Sequence, residues 1–128
     1  DYYASRGLGD VYKRQALEGR GFTVDFQMEE MDGIYYVSVD LFRRVVDNLF
    51  SNLTKYAARE YPVTIACVQT RGGARLTIHN RKRTDGALVE SSGIGLKTCR
   101  KIMKEHEGSF DTTEDEDGFT ATLFLPKA

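Results

Sequence analysis

A strongly amphipathic segment between Leu41 and about Ala58 constrains the fold of this chain more than any other feature. Its apolar residues recur at intervals of three and four positions, as on one face of an α-helix. They are Leu41, Phe42, Val45, Val46, Leu49, Leu53 and Tyr56. We expect Asp40 to cap the start of this helix and Pro62 to mark its end, because a side-chain oxygen accepts hydrogen bonds at a helix start and proline interrupts a helix. Such a helix is stable only when other elements cover its apolar face.

The rest of the chain supplies those elements. Residues 21–29 alternate apolar and polar side chains and predict a strand, and residues 62–80 and 108–126 each predict a β-hairpin. Residues 81–92 are polar and predict an irregular loop. Residues 91–105, SSGIGLKTCRKIMKE, predict a glycine turn followed by a second helix. This order favours an α+β fold, a two-layer sandwich in which a mixed, mostly antiparallel sheet packs against helices.

The composition fits one globular domain. The chain has 128 residues, of which 41% are hydrophobic and 29% charged, with a net charge of −1. Acidic and basic residues are interspersed, so the chain lacks the positive field of a nucleic-acid surface, and we expect no nucleic-acid partner. We expect Cys67 and Cys99 to be buried free thiols rather than a disulfide framework. No apolar run approaches the length of a membrane span.

The start of the chain differs from the rest. Residues 1–15 show neither helical nor strand periodicity, and their DVYKRQ portion looks like translated linker sequence. We therefore expect a fragment of a longer protein, in which residues 1–15 are a non-native or linker segment and residues 16–128 are the domain.

Two asparagines lie one turn apart in the first predicted helix. Asn48 and Asn52 share a face, which Lys55 and Tyr56 extend by another turn. Asparagine is a poor residue for a helix interior, so a pair in register suggests a role. An amide oxygen is a suitable ligand for Mg²⁺, and a lysine one turn on suits the phosphates that usually complete its coordination. The alternative is that both asparagines lie on the solvated face without a function.

The glycine turn before the second helix suggests an anion site. A helix start has free N–H groups and partial positive charge, and Gly93 and Gly95 let an anion approach the backbone there. The turn is not a P-loop, because Leu96 separates Gly95 from Lys97 and no buried strand precedes it. The alternative is a flexible loop that ends at an ordinary helix.

Together and in this order, these motifs resemble the catalytic ATP-binding domain of bacterial sensor histidine kinases. That domain belongs to the GHKL family, which also contains DNA gyrase and has the Bergerat ATP-binding fold. DNLFSNLTKYA resembles the family's N box, SSGIGLKTCR its second glycine box, and GFTATLFLP its closing strand. The resemblance extends from about Ala16 to Pro126.

The resemblance implies a site for Mg-ATP in this domain. Asn52 would bind Mg²⁺, Asn48 would lie beside the metal and phosphates, Lys55 would contact phosphate, and Tyr56 would flank the adenine. The backbone at the start of the second helix would hold the triphosphate, through Gly93, Ile94, Gly95 and Leu96. Residues 81–92 would form the lid over the nucleotide.

One position departs from the family pattern. Asn80 stands where the family has the aspartate that accepts a hydrogen bond from the adenine amino group, and residues 81–84 supply no glycine. An asparagine oxygen still accepts that bond, without charge, so we expect weaker adenine recognition. The basic run 81–83 would reach the phosphates or simply be solvated. His79 and His106 lie outside the sequence context of a phosphoacceptor helix, and we expect both to be structural, with His106 suited as a cation to a helix end.

The resemblance implies a protein histidine kinase. The domain would donate the γ-phosphoryl group of ATP to a histidine on a separate dimerisation domain, from which a response regulator takes it. The parent protein would be homodimeric and membrane-anchored, with this domain in the cytoplasm. Two alternatives are an anti-sigma factor serine kinase of the same fold and a degenerate module that binds a partner without nucleotide.

Overall fold

The computed structural model describes residues 2–4, 21–28, 34–83, 94–116 and 118–127. Seven strands and two helices are described within these ranges. In chain order they are β1 Tyr2–Ala4, β2 Val24–Met28, β3 Ile34–Tyr36, α1 Val39–Tyr56, β4 Val63–Gln69, β5 Gly73–Arg81, α2 Ile94–Glu105, β6 Ser109–Glu114 and β7 Gly118–Pro126. Every helix and strand expected from the sequence is present. Most of the predicted lid lies outside the described residues.

The main sheet has five strands in the order β2-β4-β5-β7-β6. β2 pairs parallel with β4, and the other neighbours pair antiparallel, so the predicted mixed, mostly antiparallel sheet is confirmed. Alternate residues of β4, β5 and β7 are buried on one face, and they form one core cluster with the apolar residues of both helices. The α+β sandwich follows from this match between strand alternation and helix periodicity. Cys67 and Cys99 are both buried and free, as expected.

The first helix begins and ends elsewhere than the sequence suggested. The expectation that Asp40 caps α1 is wrong: the cap is Ser38, whose Oγ accepts a hydrogen bond from the Leu41 N–H at 3.3 Å. Asp40 lies in the first turn, where a carboxylate suits the helix dipole. α1 ends at Tyr56, before both Ala58 and Pro62.

The early end of α1 has a tertiary cause. Ala57 is extended, with φ −77° and ψ 137°, and forms a β-bridge with Lys82 just beyond β5. The Ala58 N–H donates to the Arg81 carbonyl at 2.8 Å. Pairing with the end of β5 therefore replaces the last helical hydrogen bonds and holds the end of α1 beside that strand.

The sequence did not predict the small two-stranded sheet. β1 pairs antiparallel with β3, from Tyr2 opposite Tyr36 to Ala4 opposite Ile34. Strands of three residues are too short for alternation to reveal them. The origin of residues 1–15 as a non-native or linker segment stays a prediction.

The two helices run in opposite directions, because the start of α1 is bonded to the residue after α2 and Asn48, further along α1, is bonded to Gly95 at the start of α2. The Ser38 N–H at the start of α1 donates to His106 Nε2, just after α2, at 2.9 Å. His106 Nδ1 lies 2.8 Å from the Ile102 carbonyl, to which it must donate. One ring nitrogen thus donates and the other accepts, so His106 is structural as expected but neutral in this arrangement, and the cationic role expected for it is wrong.

No helix in the described part of the chain is long and apolar enough to cross a membrane.

Candidate functional site

A cavity of about 320 Å³ lies where the end of α1, the end of β5, the start of α2 and the β6–β7 hairpin meet. Side chains from all four places line it: Asn52, Lys55, Tyr56, Lys82, Arg83, Leu96, Glu114 and Phe119. Six of these residues were singled out from the sequence: three in the first motif, one in the second and two in the basic run 81–83. The cavity therefore brings together the two motifs, although its lining residues Tyr56 and Leu96 are forty positions apart in the sequence.

The last turns of α1 form one wall of the cavity. Asn52, Lys55 and Tyr56 share a helix face because they are three and four positions apart. Asn52 and Tyr56 are half-buried, and Lys55 is exposed. Asn52 is thus not on the fully solvated face of α1, which was the alternative open from the sequence. Its amide oxygen is a hard oxygen ligand of the kind that binds Mg²⁺, so Asn52 fits that ion.

Asn48 occupies a different place from Asn52. Its Nδ2 donates to the Gly95 carbonyl in α2 at 3.4 Å, and it does not line the cavity. It also hydrogen-bonds the buried Cys99 thiol, a bond that lowers the pKa of that thiol. Burial has the larger effect and raises the pKa of Cys99 to about 11. Asn48 therefore ties α1 to the start of α2.

The start of α2 forms a second wall. Leu96 lines the cavity, Ile94 begins the helix, and Gly93 lies outside the described residues. The first residues of a helix carry N–H groups without intrahelical partners, which suits them to bind anions. A Cβ built on Gly95 would lie 3.7–3.8 Å from Asn48, which is ordinary contact, so packing alone does not require glycine there.

Asn80 is buried beside the cavity rather than on its surface. It is 2% exposed, and its Nδ2 donates to the Arg81 carbonyl at 3.1 Å. Asn80 lies opposite Phe119 in the β5–β7 pairing, and among the described residues Phe119, not Asn80, lines the cavity. Its neighbour His79 lies beside Thr120, with Nδ1 and Oγ1 2.8 Å apart.

The basic residues after β5 are held in place by their neighbours. The Arg83 backbone N–H donates to the Tyr56 carbonyl at 2.9 Å, and its guanidinium donates to the Lys55 carbonyl at 3.4 Å. Lys82 Nζ lies 2.8 Å from Glu114 Oε1 and donates to the Asp115 carbonyl. The run of basic residues is therefore not merely solvated.

Sequence reasoning missed Glu114 and Phe119. Both lie in the second hairpin, outside the two motifs, and although Phe119 belongs to the predicted closing strand, nothing in that pattern assigns either residue to a site. The pairing of β7 with β5 brings Phe119 to the cavity, and the pairing of β6 with β7 places Glu114 beside it. One signal for Phe119 was present in the sequence. If the two predicted hairpins lie side by side with β5 next to β7, antiparallel pairing places the start of β7 beside the end of β5.

The comparison with protein families agrees with this geometry. Residues 37–128 match the family described as histidine kinase-, DNA gyrase B- and HSP90-like ATPase. The chain belongs to this family. The match covers both motifs, both helices and β4 to β7, so the resemblance to the ATP-binding domain of sensor histidine kinases is confirmed.

One curated relative is consistent with that membership. The sensor histidine kinase YrkQ of Bacillus subtilis (strain 168) is 28% identical over 90 residues, which are 69% of this chain and 21% of that protein. This chain thus spans about a fifth of the length of that relative.

The solved structures show the same fold. The catalytic domain of histidine kinase ThkA has a TM-score of 0.78 at 19% identity and covers 99% of this chain and 97% of that one. The mycobacterial sensor histidine kinase MprB has a TM-score of 0.77 at 16% identity, covering 99% and 97%. A histidine kinase from Burkholderia phymatum STM815 has a TM-score of 0.78 at 18% identity, covering 99% and 70%. The predicted fold class is therefore confirmed.

Proposed function

We propose that this chain is the Mg-ATP-binding catalytic domain of a two-component sensor histidine kinase. The observation that carries the proposal is the shared cavity: Asn52, Lys55 and Tyr56 of the first motif line it together with Leu96 of the second. Membership of an ATPase family supports ATP as the ligand. The Mg²⁺ ion and the individual residue roles are part of the proposal.

The triphosphate would lie between the two helices. Asn52 would bind Mg²⁺ through its amide oxygen, Lys55 would contact phosphate, and the backbone from Gly93 to Leu96 would donate N–H groups to the phosphate oxygens. Asn48 would lie beside the metal and phosphates, and its bond to Gly95 would position the start of α2. Bound Mg²⁺ would supply neutralising charge on the phosphates.

The purine would lie toward the β5–β7 end of the cavity. Tyr56 would flank it, and the Asn80 amide oxygen would accept a hydrogen bond from the adenine amino group. The Asn80 N–H group already donates to Arg81, which leaves the oxygen as the atom suited to that bond. A neutral acceptor gives a weaker bond than a carboxylate would.

The chemistry proposed for this domain is the positioning of ATP. Transfer of a phosphoryl group depends mainly on alignment and neutralisation of charge, so the domain needs no nucleophile of its own. The acceptor would be a histidine on a separate dimerisation domain of the same kinase, and a response regulator would take the group from it. We propose a homodimeric, membrane-anchored parent, with this domain in the cytoplasm.

A second candidate is a degenerate domain that binds a partner without ATP turnover. The observation that favours it is Asn80, which is neutral, buried and absent from the cavity lining. Affinity for Mg-ATP separates the two candidates, because a partner-binding module has no need of it.

Titration calorimetry with Mg-ATP tests the proposal. We expect heat of binding and a rise in melting temperature for the unmodified chain, since a ligand that binds only the native state stabilises it. Asn52→Ala should abolish the Mg²⁺-dependent part of binding, whereas Ser51→Ala, an exposed neighbour outside the cavity lining, should bind like the unmodified chain. No heat and no thermal shift at millimolar Mg-ATP would refute the kinase proposal in favour of the degenerate one.

A further inference from the structure

We infer that Phe119 is a nucleobase-binding residue and that, with Tyr56, it gives the cavity an aromatic end that holds the base by stacking. This inference rests on the proposed function, because it concerns the same nucleotide. It assigns a role to a position that neither the N box nor the glycine box contains.

The position of Phe119 in β7 is the first observation. Residues of β7 alternate between the two faces of the sheet, and Ala121, Leu123 and Leu125 are fully buried on the face toward the helices. Phe119 is on the same face of the sheet as these residues, but it lies at the start of the strand, at the edge of the core cluster. It is only half-buried, packs against the core and lines the cavity. Its ring is thus partly available to a ligand.

Tyr56 is the second observation. It reaches the same cavity from the last turn of α1, so two aromatic side chains from different elements line one space of about 320 Å³. Both elements are fixed near their aromatic residue: the Tyr56 carbonyl accepts from the Arg83 N–H at 2.9 Å, and β7 is paired with β5 along its whole length. Rings on rigid elements lose little freedom when a base stacks on them.

The chemistry of the surrounding residues identifies the end of the nucleotide that Phe119 contacts. Phe119 lies opposite Asn80 in the strand pairing, and Asn80 is the residue proposed to bond the adenine amino group. A phenyl ring offers nothing to a phosphate but can stack on the flat face of a base. With only a neutral acceptor at Asn80, stacking becomes a larger share of the base-binding energy.

The test compares two phenylalanines of the same strand. Phe119→Leu keeps apolar volume but removes the ring, and Phe124→Leu makes the same change on the opposite face, at a half-buried residue that does not line the cavity. Calorimetry gives the dissociation constant for Mg-ATP, and thermal unfolding confirms that each variant is folded. We expect Phe119→Leu to weaken Mg-ATP binding about fivefold or more, since stacking on one aromatic residue is worth about 1–3 kcal/mol per base.

Each outcome decides between the possibilities. Phe124→Leu should bind Mg-ATP like the unmodified chain, and Phe119→Tyr, which keeps an aromatic ring, should restore binding lost in Phe119→Leu. If the unmodified chain binds Mg-ATP and Phe119→Leu binds it equally well, the inference is wrong while the proposed function stands. If Phe119→Tyr fails to restore binding, a structural role for Phe119 replaces stacking. An unmodified chain that binds no Mg-ATP overturns the proposed function and the inference with it.

Discussion

Replacing Gly95 by alanine separates a folding role of this glycine from a binding role. The added Cβ would lie 3.7–3.8 Å from atoms of Asn48, which is ordinary van der Waals contact, so nothing in the fold has to move. Gly95 is the second residue of α2, and alanine is favoured over glycine in a helix by about 1 kcal/mol in the interior and by less near the end. We therefore expect Gly95→Ala to raise the free energy of unfolding by about 0.5 kcal/mol.

The same substitution at Gly73 provides the matched control. A Cβ there would overlap the carbonyl oxygen of Leu125 on the paired strand β7, and backbone in a sheet cannot easily move away. Gly73→Ala should lower the free energy of unfolding by about 1–3 kcal/mol, as overpacking does. Urea denaturation of the two variants and the unmodified chain measures both effects.

Gly95→Ala should weaken nucleotide binding even though it raises the free energy of unfolding. If phosphate oxygens approach the backbone at the start of α2, a methyl group there hinders the approach, and the loss of one hydrogen bond to a charged group weakens binding about tenfold. A stabilised Gly95→Ala variant that binds Mg-ATP like the unmodified chain would show that phosphate does not approach this backbone. A destabilised variant would show instead that the glycine is required by packing.

Three further predictions follow from single contacts. Glu114→Gln removes a carboxylate from the cavity and breaks its ion pair with Lys82, which still donates to the Asp115 carbonyl. The cavity becomes more positive, so calorimetry at low salt should show Mg-ATP binding about twofold to fivefold tighter, with a smaller gain at high salt; unchanged binding at low salt would contradict this. Burial raises the pKa of Cys99 from 9.0 to about 11, so the thiol ionises at lower pH in the unfolded chain than in the folded one. The difference in free energy of unfolding between the unmodified chain and Cys99→Ser, measured by urea denaturation, should therefore be constant below pH 9.0 and decrease as the pH rises toward 11. A difference that does not depend on pH would refute this. His106→Ala leaves the Ser38 N–H without its acceptor and should lower the free energy of unfolding by about 1–2 kcal/mol in urea, and an unchanged midpoint would exclude a role for that bond.

Local periodicity was enough to predict most of the fold. The three- and four-residue spacing in α1 and the alternation in β4, β5 and β7 each report burial on one face, and burial is what decides which element forms. The ends of elements depend on distant partners instead. Ala57 leaves the helix because Lys82 pairs with it, and no local pattern contains that contact.

Some residues of the candidate site could be predicted from local spacing, and others depend on distant parts of the chain. Asn52, Lys55 and Tyr56 could be grouped from spacing along one helix, because helical geometry fixes which of them are neighbours. Phe119 and Glu114 could not, since they reach the cavity through the strand order of the sheet. Strand order is a long-range property that a single sequence specifies only through the whole core.

The two asparagines of α1 explain why the cavity has two coupled walls. They are one turn apart, yet Asn52 lines the cavity while Asn48 bonds to the Gly95 carbonyl at the start of α2. Any shift of α2 along α1 therefore strains the Asn48 bond and moves Leu96, one residue after Gly95, within the cavity wall. A poor helix former is tolerated twice in this helix because one amide holds the second wall in place and the other faces the cavity that the two walls enclose.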